Sequence, residues 1–438
     1  MKRYHVIPCL VSILFATCTI NHTLAFLLIH NKRLKADLRL HERIPLENVV
    51  IAGAGVIGIS SAYFLSQNHA SDENNPLSIT LVDVTGEISP AASGKAGGFL
   101  ALDWNDRSPI RDLARRSFDL HSELAQKFGK DRIMYRRLTC ASISVNKLGR
   151  NNRPSGKKLD GVEWADNVNV DRDNVTTEMV GASVDLTGMM PLGDEKTIAQ
   201  VHPKMLCEAM WDAVQKNPNV QASLLRGKVG DAIYESSDGL DEKLVGVKLE
   251  DGKTLDADAI LYACGPWTEY GRCITGVKYH SVLIPTKPRV LTQSVFFDGC
   301  GDPEVYPRPD GTAYCCGFPD PAVKVTEMPG EEKVREAAID RIVDAVREAS
   351  GGKDGALGED PEVKQSCYLP STPDGLPMMG LIPNKSGCYV ATGHSCWGIL
   401  LGPGTGEAMA SLISKGRSSS FVDLGPFCPE RFKNNQLW

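Results

Sequence analysis

Asn48-Val49-Val50-Ile51-Ala52-Gly53-Ala54-Gly55-Val56-Ile57-Gly58 is an apolar β-type run that breaks directly into three spaced glycines. The segment after it, Ile59 to Gln67, reads as a helix with Ala62, Tyr63 and Leu65 turned toward a sheet. Polar residues and Pro76 follow, and Ser78-Ile79-Thr80-Leu81-Val82-Asp83 reads as a second strand ending in a carboxylate. Strand, glycines, helix, strand and acid in that order are the dinucleotide-binding fingerprint. In it Gly53 permits the tight turn, Gly55 lets backbone approach a pyrophosphate, and Gly58 lets helix and strand pack closely. Val56 and Ile57, between the second and third glycines, lead into the helix, whose unpaired N–H groups and positive end face the phosphates. Asp83 is suited to a ribose 2′-hydroxyl and would repel a 2′-phosphate. The fingerprint therefore predicts FAD or NAD rather than NADP, without separating the two.

The composition agrees with a folded, nucleotide-using protein and excludes several others. The chain has 438 residues, two to three ordinary domain lengths, enough for a core without metal or disulfide staples. With 42% apolar and 23% charged residues it is neither disordered, collagen-like nor coiled coil. Lys plus Arg number 48 against 54 Asp plus Glu, a net charge of −6, so no positive reservoir exists for nucleic acid. The 13 cysteines are scattered, with no CxxC pair or Cys/His cluster of zinc spacing. No metal is expected, and the thiols read as small buried apolar groups of a reducing compartment. At the N-terminus, Lys2 and Arg3 precede an apolar stretch from Val6 to Ala16, a signal-peptide pattern too short for a membrane span. A basic segment, Asn31 to Arg43, follows the junction Leu24-Ala25-Phe26. Residues 1–45 thus resemble the bipartite plastid presequences of algae with complex plastids. A secretory signal or a cytoplasmic protein is the alternative. No comparable apolar run follows Leu46, so no stable span is expected after presequence removal.

Further motifs separate FAD from NAD. Ser89-Pro90-Ala91-Ala92-Ser93-Gly94-Lys95-Ala96-Gly97-Gly98-Phe99-Leu100-Ala101 has the small residues of backbone that comes close to something flat or anionic, with Ser93 and Lys95 as donors. Asp258-Ala259-Ile260-Leu261-Tyr262-Ala263-Cys264-Gly265-Pro266-Trp267-Thr268 reads as a strand and turn. Thr372-Pro373-Asp374-Gly375-Leu376-Pro377-Met378-Met379-Gly380 is a second turn. Gly387 to Ile399, with Gly393, His394, Trp397, Gly398 and Ile399, repeats the opening device: a β-run, glycines, and a helix start near Gly398. Together these resemble, in order, the D-amino-acid-oxidase-like FAD oxidoreductase superfamily, which includes glycine oxidase and the sarcosine oxidases. The Ser-Gly-Lys-Ala-Gly-Gly loop is most similar to a eukaryotic branch of it.

The resemblance implies a Rossmann-like α/β FAD-binding domain, discontinuous over 46–110, 195–282 and 370–425. An α+β substrate domain with an antiparallel sheet would cover 111–194 and 283–369, with a C-terminal tail over 426–438. Within the substrate domain Leu291 to Phe297 reads as a strand, and Glu331 to Ser350 as an amphipathic helix. A polar excursion occupies Asn146 to Glu178. Val229 fits the family's short strand whose backbone meets the adenine.

As activity the resemblance implies oxidation of a C–N bond in an amine or amino-acid-like molecule by hydride transfer to flavin N5. His394 would then be the titrating group beside the ring, or a histidine that fixes the loop. Glycine oxidase-like members place an Arg where this chain has Leu369, so Arg289 and Arg308 are the candidates to hold a substrate carboxylate. The Lys that promotes reaction with oxygen in sarcosine oxidase-like members is replaced within Tyr314-Cys315-Cys316-Gly317. Cys367 stands at the spacing of covalent flavin attachment, although non-covalent FAD is the expectation. Two other readings stay open at this level. One is an NAD-dependent Rossmann dehydrogenase, which leaves Gly393 to Gly398 unexplained. The other is a non-catalytic FAD-binding assembly or trafficking factor.

Overall fold

The computed structural model describes residues 46–69, 76–146, 185–236, 242–268, 273–287, 291–298, 302–417 and 419–435. The presequence, nearly all of the polar excursion and Arg289 lie outside the described residues. From Leu46 onward the fold rests on two large sheets.

The first sheet has six strands in the order Met378–Leu381, Cys388–Thr392, Ala259–Tyr262, Asn48–Ala52, Leu77–Asp83, Val220–Arg226. Its neighbours run parallel, except for the antiparallel edge strand Met378–Leu381. Asn48–Ala52 is buried almost end to end because it is covered on both faces. Val49 and Ile51 pack under helices, while Val50 and Ala52 meet a small antiparallel sheet of Val229–Ser236, Glu242–Leu249 and Thr254–Asp256.

The principal helices are α1 (Val56–Asn68), α2 (Arg111–Phe128), α3 (Pro203–Gln215), α4 (Glu336–Ala349) and α5 (Gly398–Lys415). α5 packs against both α1 and α2. It approaches closely because its contact face is bare: a Cβ on Gly402, Gly404 or Gly406 would come within 2.6, 2.9 or 2.4 Å of Val56, Ser117 or Ser60.

Pro403 lies inside α5. Its nitrogen has no proton for the carbonyl of Ile399, which would leave a buried acceptor unpaired. α2 repairs the gap. His121 Nε2–H donates to Ile399 O at 2.9 Å and Leu400 O at 3.3 Å, and the Gly404 N–H donates to Ser117 Oγ at 2.8 Å. Ser117 and His121 are four residues apart, so one face of α2 carries both.

The second sheet has eight strands. Seven follow the order Ala322–Val323, Thr275–Pro285, Thr312–Gly317, Glu304–Pro307, Gln293–Asp298, Thr139–Asn146, Asp185–Gly193. Val363–Ser371 pairs along Thr275–Pro285 as the eighth. Pairing is antiparallel except between Gln293–Asp298 and Thr139–Asn146. Side chains alternate as a strand requires. Val282, Ile284, Val295, Val305, Ala313 and Cys315 bury against α4 through Ile339, Ile342 and Val346. Tyr279, Leu283, Phe296, Tyr306, Tyr314 and Cys316 form a cluster on the opposite side.

Several expected boundaries move. α2, assigned to the substrate domain by position, buries Leu113, Phe118 and Leu124 in one core with Val49 and Ile51. Thr275–Pro285, whose residues up to 282 were expected in the FAD domain, is a central strand of the antiparallel sheet. Motif spacing locates segments along the chain but not the face each one buries. α4 starts at Glu336, five residues later than its pattern, because Arg335 is extended and Glu332 is drawn to Lys95. The expected tail is packed: Phe427 and Phe432 are buried, and Arg431 clamps Asp374 with Nε 2.7 Å from Oδ2.

Candidate active site

The fingerprint glycines divide by what surrounds them. A Cβ on Gly53 would fall 2.5 Å from Ala263 O, and one on Gly58 would fall 2.0 Å from Gly53 O. Both are bare because the chain itself fills the space, as the tight-turn and close-packing readings require. Gly55 is different: a Cβ there would meet only the Ser93 side chain, at 3.1 Å. Gly265 has nothing within 4 Å, and Gly398 has only His394 Cβ at 3.8 Å. These three open glycines follow the carboxyl ends of Asn48–Ala52, Ala259–Tyr262 and Cys388–Thr392, adjacent strands of the parallel sheet. That edge is where open α/β sheets take their ligands.

Two helices start there. Asp83 Oδ2 accepts from the Ala54 N–H at 3.0 Å, which ties the glycine turn to the second strand. Its Oδ1 accepts from the Thr85 N–H at 2.9 Å and from the Thr85 hydroxyl at 2.6 Å. A carboxylate offers about four acceptor positions, so one remains for a ribose hydroxyl. Ser93 Oγ accepts from the Val56 N–H at 3.0 Å. It therefore takes the first donor of α1 and keeps its own proton for an acceptor, leaving Ile57 and Gly58 N–H as free donors of the first turn. The N-cap residue of α5, Trp397, makes no side-chain cap, and the first turn of α5 holds no acid, so its positive end is not neutralised locally. Val229 is buried where its strand begins, beside the Gly227 N–H that binds Asp83 O at 3.0 Å. Open glycines and two helix starts at one sheet edge fit a dinucleotide.

The loop after Ser89 is bare for a different reason from the one its sequence suggests. A Cβ on Gly94 would meet Ser89 O at 2.1 Å, one on Gly97 the Tyr306 ring at 2.2 Å, and one on Gly98 Val201 O at 1.8 Å. These glycines answer to the protein's own packing. Lys95 is likewise committed: its ammonium lies 3.3 Å from Glu332 Oε2 and donates to Ser366 O at 3.0 Å. The Glu332 side chain is 0% exposed, so the loop is pinned to the second sheet's side by a buried charge pair. Trp267 also stitches the halves, donating Nε1–H to Thr326 O at 2.8 Å and packing edge-on to Tyr368.

The expected catalytic side chains are placed differently from one another. His394 is buried, and its Nε2 shares a hydrogen bond with Thr405 Oγ1 at 3.0 Å. Burial holds its pKa down to about 3, so it is neutral in the physiological range. Nε2 thus fixes the loop to α5, while the buried Nδ1 has no partner among the described residues. Arg308 is 6% exposed, donates Nη2–H to Ala96 O at 3.1 Å and lies over the Tyr314 ring. It anchors the Lys95–Gly97 loop through that one N–H, while its buried Nε–H has no partner among the described residues. Cys367 is buried and its thiol is pushed up to about 12 by burial.

Sequence reasoning missed the wall that faces these groups. Phe99 stacks on Tyr306 at 5.1 Å, and Tyr306 stacks on Tyr314 at 5.8 Å. Phe296 and Trp104 close on Phe99 at 5.5 and 5.2 Å, and Trp104 reaches Trp397 edge-on at 6.5 Å. Phe99, Trp104, Phe296, Glu304 and Trp397 each stay half-buried, so part of each is open. Glu304, Tyr306 and Arg308 alternate with Val305 and Pro307 across the turn Pro309-Asp310-Gly311, a hairpin signal that could have revealed this face.

The fold and the site fit a dinucleotide-binding protein whose aromatic cluster reaches the start of α5 through Trp104 and Trp397. The sequence profile of the family described as "DAO: FAD dependent oxidoreductase" matches residues 48–412, and the chain belongs to that family. A protein of Schizosaccharomyces pombe named as an oxidoreductase is 33% identical over 404 residues, 86% of this chain and 97% of the relative. The glycine oxidase structure from Geobacillus kaustophilus superposes with a TM-score of 0.65 at 20% identity, covering 87% of this chain and 98% of that one. L-proline dehydrogenase from P. horikoshii gives a TM-score of 0.67 at 16% identity, covering 90% and 99%. The chain is thus an FAD-dependent oxidoreductase related to amine and amino-acid oxidases, with the expected two-part fold.

Proposed function

We propose that this protein oxidises the C–N bond of a small amine or amino-acid-like molecule, with FAD bound non-covalently. FAD supplies the hydride acceptor at flavin N5. Ile57, Gly58 and Ser93 would hold the pyrophosphate, Asp83 the ribose, Val229 the adenine, and the first turn of α5 the ring oxygens. The observation that carries the reading is the half-buried aromatic wall joined to the α5 start through Trp104 and Trp397. Its rings exclude water and orient a small organic molecule. His394 stays neutral, so it carries no positive charge at pH 7. With its thiol pushed up to about 12, Cys367 has almost no thiolate to attack a flavin, which favours non-covalent FAD.

The test is the visible spectrum of purified protein, repeated anaerobically with secondary amines, primary amines and D-amino acids. Flavin bands near roughly 370 and 450 nm are expected, and at least one amine should bleach them. Bands that no amine bleaches would favour FAD as a structural ligand. Acid precipitation should release all the yellow colour, and retention in the pellet would refute non-covalent binding.

A further inference from the structure

We infer that Glu304 is the acceptor for a substrate ammonium group, which makes the preferred substrates cationic amines rather than carboxylate-bearing amino acids. This inference rests on the amine-oxidation reading above and names its substrate class. Glu304 stands in register with Phe296 on one side and Cys316 on the other, on the face that carries the aromatic wall. Its Oε2 accepts from the Tyr306 hydroxyl and from Cys316 Sγ at 3.5 Å. Both of these bonds fall on Oε2, and among the described residues no lysine, arginine or histidine pairs with the carboxyl group. Phe296 is the cross-strand neighbour of Glu304, Tyr306 donates to it, Phe99 packs on both of those rings, and Glu304 is half-buried.

A carboxyl group among rings, with a hydroxyl donor but no cation, is an incomplete ion pair. An ammonium completes it: the charge meets Oε1 directly and the ring faces add cation–π attraction. The neighbouring groups do not compete for that place. Arg308, one residue past the end of that strand, donates Nη2–H to Ala96 O, and at about 3.3 Å per residue its Cα stands ~13 Å away. Leu369, on a neighbouring part of the sheet, offers no charge. The titratable groups facing Glu304 are Tyr306 on its own strand, Cys316 and Tyr314 on the next, Cys140 on Thr139–Asn146, and Asp302 in the preceding turn. None of these is a cation at neutral pH. Burial raises the pKa of Glu304, and the Tyr306 and Cys316 hydrogen bonds oppose that rise.

The experiment titrates the FAD-loaded protein with three probes of similar shape, followed by the change in flavin absorbance. Benzyltrimethylammonium is permanently charged and has no nitrogen lone pair, so it binds without being oxidised; benzyl alcohol is neutral and benzoate is anionic. The cation is expected to bind best. Glu304→Gln, which keeps an acceptor for Tyr306, should weaken the cation by about tenfold or more and leave benzyl alcohol within about twofold. FAD content of the variant controls for folding. Tyr306→Phe provides a second arm: without the hydroxyl donor the carboxyl protonates more readily, so cation binding should be lost at a higher pH than in the wild type. Equal cation affinity in wild type and Glu304→Gln would overturn the inference, as would stronger binding of benzoate or no binding of the cation. Anaerobic bleaching by benzylamine reads the oxidation hypothesis separately. Glu304-dependent cation binding without bleaching by any amine would sink that hypothesis and leave this one standing.

Discussion

At the scale of single residues, glycine in this chain serves two masters. Gly58 is bare because Gly53 O occupies the place of a side chain, whereas Gly55 is bare where only Ser93 approaches. The two should therefore fail differently. Gly58→Ala forces helix and strand apart and is expected to destabilise the protein by about 1–3 kcal/mol, read by urea unfolding of the apoprotein. Gly55→Ala should leave that unfolding curve within about 0.5 kcal/mol and reduce FAD affinity by about tenfold or more, read by fluorescence of released flavin. Equal losses of stability would mean that Gly55 is also a packing glycine. At Gly94, Gly97 and Gly98 the place of a side chain is filled by Ser89 O, the Tyr306 ring and Val201 O, so the chain's own packing already requires glycine there. Sequence shows that a residue is small, and only the neighbours show whether a ligand or the chain itself requires it.

Among the elements, α5 is the least stable on its own terms, since Pro403 removes one donor and displaces another. Its integrity is lent by α2 through His121 and Ser117. His121→Leu leaves the Ile399 carbonyl buried and unpaired, a cost of about 1–3 kcal/mol. Adding Pro403→Ala restores a helical N–H for that carbonyl, so the double variant should recover part of the loss by chemical denaturation. A double variant no more stable than His121→Leu would show that the histidine acts through packing alone. This partnership spans 278 residues and has no signature in either helix read alone. α4 was legible because its stripe of Ala338, Ile342, Ala345, Val346 and Ala349 is a local property of one helix. Its start was not legible, because Glu332, in the loop before it, is held by Lys95 from a distant loop.

For the whole molecule, buried histidines set the response to acid. Burial lowers His121 and His202 to about 4 and His394 to about 3, against an ordinary 6.5. Below pH 6.5 the unfolded chain binds protons that the folded chain refuses, so stability is full above 6.5 and falls as pH drops toward those lower values. At pH 5 the fully buried His121 and His394 each forfeit up to about 2 kcal/mol. Thermal unfolding should therefore show a marked loss between pH 7.5 and 5.0. His121→Gln, which takes up no proton, should show a shallower one, and an unchanged slope would refute the assignment.

The sequence by itself determined the nucleotide-binding half of this protein. Strand, glycine turn, helix and acid occupy one continuous stretch, and each constraint there acts over a few residues, so local pattern and backbone sterics suffice. The repeat of that device at Gly393 to Gly398 was legible for the same reason. The tertiary structure decided the partners and therefore the roles. Lys95 meets Glu332 across 237 residues, His394 Nε2 meets Thr405, Arg308 Nη2 meets Ala96, and Glu304 shares a face with rings gathered from Phe99, Phe296 and Tyr306. What a charged side chain can do depends on its burial and on which partners remain unmet. Both are set when strands distant in the chain become neighbours in a sheet.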